Sequence, residues 1–159
     1  MKIGLAVREL HRSERKLARE LDAVAARHRT DHEVFHVARD IAGWSRDHID
    51  RLAVAGRRFD IDLRERPRTE SVTAALQSRL AVAVRRRPEP ALLLLADLRR
   101  VHRTAAGVSL DWELLAQAAQ AIDDSELLAL CTRCHPETLR QVRWANAMLK
   151  VLSPQALAS

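Results

Sequence analysis

Apolar residues recur along most of the chain at alternating steps of three and four, the spacing that lays one stripe along an α-helix. Over residues 5–28 the stripe is Val7, Leu10, Glu14, Leu17, Leu21, Val24. Over 31–55 it is Val34, Ala38, Ile41, Ser45, His48, Leu52. A third stripe, over 90–122, runs Leu94, Leu98, Val101, Ala105, Val108, Trp112, Leu115, Ala119, Ile122, and a fourth, over 125–152, runs Leu128, Cys131, His135, Thr138, Val142, Ala145, Leu149, Leu152. The pattern predicts an all-α chain, a four-helix bundle in one domain spanning 1–159. Between the second and third stripes, Pro67, Pro88 and Pro90 bracket one amphipathic stretch over 70–84. It predicts a long crossover that carries a short extra helix.

The boundaries follow from local chemistry. Thr30 and Glu33 have capping-box spacing for the second helix, and Gly56 is placed to stop it. Asp123-Asp124-Ser125 caps the fourth helix. Gly107 weakens the third by about 1 kcal/mol without ending it. Pro136 falls inside the fourth pattern, where it either kinks the helix or begins a fresh one. Pro154 is expected to end it.

Composition narrows the class. Aromatic residues are only 3% of the chain, with no Tyr and four Gly, which suits helices rather than strands. The first nine residues turn charged too early for a signal peptide, and the longest apolar run is too short to span a bilayer. The expectation is a cytoplasmic, non-membrane protein with reduced thiols. The net charge is +6, but the arginines are interleaved with Asp and Glu in every segment, a pattern of solvated helix faces rather than a nucleic-acid patch.

The chemistry lies in the polar residues that interrupt the stripes. Glu14 and Ser45 face the predicted core at equal depth across the first hairpin, with His48 one turn deeper, close enough to share a site, and a buried carboxylate there needs a partner or a metal. The string Glu33-Val34-Phe35-His36 imitates an iron-binding motif, but Glu33 is accounted for by capping and His36 is off the stripe. On the fourth helix, Cys131-Thr132-Arg133-Cys134-His135 has the spacing for c-type haem attachment, a chemistry that follows export. The same thiols and His135, with His48 or Glu14, form a possible ligand set for a single Zn or Fe ion. The plainer reading is no cofactor: Cys131 as a small buried hydrophobe, Cys134 at the edge of the stripe, and His135 hydrogen-bonded to Glu14 or Ser45. Trp112 and Trp144 suit core packing or the contacts of a homodimer.

The segments Leu10-His11-Arg12-Ser13-Glu14-Arg15-Lys16-Leu17 and Trp44-Ser45-Arg46-Asp47-His48-Ile49-Asp50-Arg51-Leu52 resemble the first two helices of ferritin-like proteins. The nearest group is the bacterial ferritin-like stress proteins. The resemblance implies a Glu on helix 1, a Glu-x-x-His on helix 2, and the same set again on helices 3 and 4. Glu14 and His48 match this pattern, and His135 is the candidate histidine of helix 4. Ser45 stands where the second-helix Glu belongs, and helix 3 has no carboxylate on its stripe. The resemblance therefore implies a ferritin-like bundle with a degenerate di-iron site, a non-catalytic protein with a stress-related role.

Overall fold

The computed structural model describes residues 2–63 and 89–158. Four long helices account for nearly all of them: α1 (Lys2–Arg27), α2 (His32–Gly56), α3 (Pro90–Ala121) and α4 (Ser125–Leu157), with one 3-10 turn, Arg57–Phe59, after α2. There is no strand among the described residues. The expected extra helix over 70–84 falls outside them.

The first three stripes become the core, except Ile122, which lies past the end of its helix and is exposed. Val7, Leu10, Leu17, Leu21, Val34, Ala38, Leu52, Leu98, Val101, Ala105, Trp112 and Leu115 are buried in one cluster. Contacts between helices fix their directions. The Arg27–His28 end of α1 meets Asp97 near the start of α3, whereas Glu14 meets Trp112 farther along, so α1 and α3 are antiparallel. Likewise Ile41 meets Gln141 and His48 meets Glu137, so α2 and α4 are antiparallel. With short α1–α2 and α3–α4 turns, the order is up, down, down, up. α2 ends at one end of the bundle and α3 begins at the other.

Several boundaries differ from expectation. Asp31, not Thr30, caps α2: its carboxylate accepts the Val34 N–H at 3.0 Å. Asp is as good a cap as Thr, and its position one residue nearer the helix decides the choice. Gly56 does not stop α2 by a left-handed turn; it keeps a helical φ of −58°, and Asp60 takes the left-handed conformation instead. Gly56 is required by close approach, since a Cβ there would lie 2.9 Å from Leu63 Cδ1 and 3.3 Å from the Ile61 carbonyl oxygen. At the α3–α4 turn, Asp123 is left-handed and the Asp124 N–H bonds back to the Ala119 carbonyl, a Schellman closure. Asp124 then caps α4 by accepting from Leu127 N–H, and that bond, with Arg58, holds its carboxyl below the usual range despite burial. Pro136 lies within a continuous α4, and α4 runs past Pro154 to Leu157.

The fourth stripe is shifted. The buried positions of α4 are Leu127, Cys131, Cys134, Thr138, Gln141, Ala145 and Met148, so three of the expected residues stay, four move one position back, and Leu152 is only partly buried. His135 and Val142 are only partly buried.

The far end of α1 is clamped to α3 by an unexpected cluster. Asp97, buried, accepts two hydrogen bonds from Arg27, both at 2.8 Å, and lies 2.9 Å from His28 Nε2. Substituting Asp97→Ala strips a part-buried cation and a buried imidazole of their partner. We expect a loss of about 2–3 kcal/mol in urea unfolding, whereas Asp111→Ala, on the same helix, should change stability by less than about 0.5 kcal/mol.

Candidate functional site

At mid-height the bundle carries a polar cluster contributed by all four helices. Glu14 projects from α1 into the centre and is fully buried, as are His48 and Ser45 of α2 and Thr138 and Gln141 of α4. Each occupies a stripe position, so helical periodicity rather than a loop aims it inward.

His48 is the hub. Its Nδ1 lies 2.8 Å from Glu14 Oε1 and its Nε2 lies 2.7 Å from Glu137 Oε2. A neutral imidazole has one N–H donor and one bare nitrogen, so it satisfies only one of two carboxylates. The imidazolium satisfies both. Burial works against this charge, but hydrogen bonds with Cys134 and Glu14, together with the Glu14 charge, raise the His48 pKa from 6.5 to about 10. The edge of the ring also meets Trp112, at 5.6 Å between centroids.

Glu14 Oε1 is an acceptor for three helices. Besides His48, it takes the Trp112 indole N–H at 2.8 Å and a longer 3.5 Å bond from the Thr138 hydroxyl. Its other oxygen, Oε2, has no hydrogen-bond partner among the described residues. Gln141 donates to the Ile41 carbonyl at 2.8 Å and to the Ser45 hydroxyl at 3.0 Å. Glu137 closes the outer side, its side chain one-third exposed.

The sequence-predicted residues divide into two groups. Glu14, His48 and Cys134 are brought together, and Cys131 is buried one turn before Cys134. Burial and the neighbouring Cys134 push the Cys131 thiol up to about 12, which keeps it protonated and unreactive at neutral pH. His135 stands apart: its Nε2 lies 2.8 Å from the Ser109 hydroxyl and 3.8 Å from Glu113, both on α3. It bonds to neither Glu14 nor Ser45. The decoy His36 is exposed.

As arranged, Glu14, His48 and Glu137 satisfy one another. The carboxylates of Glu14 and Glu137 lie on opposite edges of the His48 ring, which separates them from any common ion. The Trp112 indole that bonds Glu14 is no metal ligand. Among the described residues, no three His, Cys, Asp or Glu side chains are arranged to hold an ion. Both thiols of the haem-like string are sealed in the core at about 1% exposure.

Glu137, Thr138, Gln141 and the Trp112–Glu14 bond complete the cluster. Sequence reasoning left Gln141 and Glu137 out. A Gln beside Val142 gives no reason to prefer the polar residue for the core, and Glu137 lies one position beside the stripe. No family model, curated protein or solved structure matches the chain.

Because the folded pKa of His48 lies above its unfolded value of 6.5, its stabilisation is complete below about pH 6.5 and is lost as pH rises through about 10. We expect the urea midpoint of the wild type to fall across that window. His48→Gln should be less stable by roughly 3 kcal/mol at pH 7, having left two carboxylates without a cation. The difference between variant and wild type should shrink toward pH 10. A pH-independent difference would contradict a charged His48.

Proposed function

We propose that this protein is a non-catalytic, ferritin-like bundle in which a protonated histidine occupies the centre that a metal pair holds in its enzymatic counterparts. The observation that carries this reading is His48 bridging Glu14 and Glu137 through both ring nitrogens, at 2.8 and 2.7 Å. A metal-binding histidine must offer a bare nitrogen, and His48 has none to offer in this arrangement.

The layout supports the relationship. Helices running up, down, down, up, with α3 beginning at the end of the bundle away from the end of α2, accord with a bundle of the ferritin-like kind. The seam residues support the loss of function. Where the pattern calls for Glu-x-x-His on the second and fourth helices, α2 has Ser45 and His48, and the facing α4 positions are Thr138 and Gln141, with Ser45 bonded to Gln141. Trp112 of α3 fills the place opposite Glu14 and donates to it. On this reading the helix-4 histidine position has become Gln141, and His135 was never part of the set. The missing ligands are replaced by neutral groups that hydrogen-bond one another.

A metal-free core leaves the protein's role to its surface and its partners. By analogy with the group it resembles, a stress-related setting is the one we favour. The single-ion alternative, through Glu14, His48, His135, Cys131 and Cys134, has less support because His135 bonds Ser109. Haem attachment would require Cys131 and Cys134 to open from the packed core.

Elemental mass spectrometry of the purified, untagged protein tests this reading. We expect iron and zinc far below one ion per chain, and no rise in melting temperature when either ion is added in tenfold excess. Near-stoichiometric metal that disappears in a Glu14→Gln/His48→Gln variant would overturn it.

A further inference from the structure

Several of the interleaved cations gather along one flank of the bundle. Between α1 and α3 runs a shallow groove, floored by Val24, Val101 and Val108, in which three adjoining concavities of about 230, 340 and 280 Å³ share Lys16 as a wall. The three are lined by six cations, Lys16, Arg19, Arg27, Arg99, Arg100 and Arg103, against three carboxylates, Glu20, Asp97 and Asp111. Asp97 is engaged by Arg27, His28 and, at 3.7 Å, Arg100, and Glu20 by Lys16 at 4.0 Å. Among the described residues no carboxylate pairs with Arg99 or Arg103, which point into solvent.

We propose that this groove binds the phosphodiester backbone of nucleic acid without regard to sequence. The proposal goes beyond the reading of the core and does not depend on it. Isolated surface arginines are ordinary; a row of them along one groove, with two uncompensated, is an electrostatic track for a polyanion. From Ser13 to Arg27 the α1 wall is about 21 Å long at 1.5 Å per residue, which matches about six steps of a strand rising 3.4 Å per nucleotide.

The shape favours a polymer. A small phosphorylated ligand is ordinarily enclosed over most of its surface, and these concavities are open along their length. Ser13 and Thr104 place hydroxyl donors beside the cations, as backbone contacts use them. At Gly107 no heavy atom lies within 4 Å of where a Cβ would stand, which leaves room for a close approach. No aromatic side chain lines the groove, so bases have no stacking platform and sequence is not read.

Fluorescence anisotropy of a labelled 20-bp DNA duplex, titrated with the full chain at several KCl concentrations, tests the proposal. With Lys16, Arg99, Arg100 and Arg103 engaged, log K should fall with log[KCl] at a slope of about −3.6. Arg99→Gln/Arg103→Gln should reduce the slope by about 1.8 and weaken binding at 50 mM KCl at least tenfold, with the melting temperature unchanged. Arg140→Gln/Arg143→Gln, on the exposed face of α4, should leave both quantities as in the wild type. Absence of binding at 50 mM KCl overturns the proposal, as does an equal loss in the two double variants, which would make the attraction one of net charge alone.

Discussion

A charged imidazole between two carboxylates ties the four helices together. Glu14 of α1 and Glu137 of α4 meet His48 of α2, and Trp112 of α3 joins through its bond to Glu14. Removing these charges from water is costly, and an incomplete set would destabilise the bundle. The complete set stabilises one alignment: a slip of one turn along any helix would leave a buried charge without its partner. Apolar stripes alone would tolerate several such alignments, because Leu, Ala and Val repeat at every turn. The cluster thus fixes which layers of the helices face each other.

Asp97 does similar work near one end of the bundle. It anchors the last turn of α1 to the first turns of α3, where the bundle would otherwise fray. Its position also helps to set the direction of α3, since a carboxylate at 97 finds Arg27 and His28 only if α3 starts at that end. Two histidines show how far local chemistry controls charge. His48 is held protonated by its acidic neighbours, whereas burial and Arg15 hold His11 below its usual value, only partly offset by Asp50.

The number, type and approximate ends of the four helices were legible because the hydrophobic period was unbroken over long stretches. Glu14, Ser45 and His48 stood out as polar residues on those stripes; all three are buried, Glu14 against His48 and Ser45 against Gln141. The fourth stripe was harder. Cys131, Thr138 and Ala145 fit a seam stepping by four then three as well as by three then four. The more apolar choice, with Leu128, Val142 and Leu149, is the half-exposed one. Gln141 is buried because Ser45 and the Ile41 carbonyl need its amide, a requirement visible only once α2 and α4 face each other. That one-position shift moved His135 out of the centre and put Cys134 in. Asp97 escaped notice for the same reason: its partners are about seventy residues away in the chain. The arginine groove was obscured because alternating charge along a helix says nothing of which flank each residue joins.

The polar centre turns on a proton held by His48 between Glu14 and Glu137. Ring nitrogen-15 NMR of the histidine-labelled protein at pH 8, with His48→Gln to assign the signal, measures this directly. Two protonated ring nitrogens on His48, each bearing a slowly exchanging hydrogen at a pH where ordinary histidines are neutral, is the predicted result. A neutral tautomer with one bare nitrogen, or a nitrogen shifted by a bound ion, would contradict it.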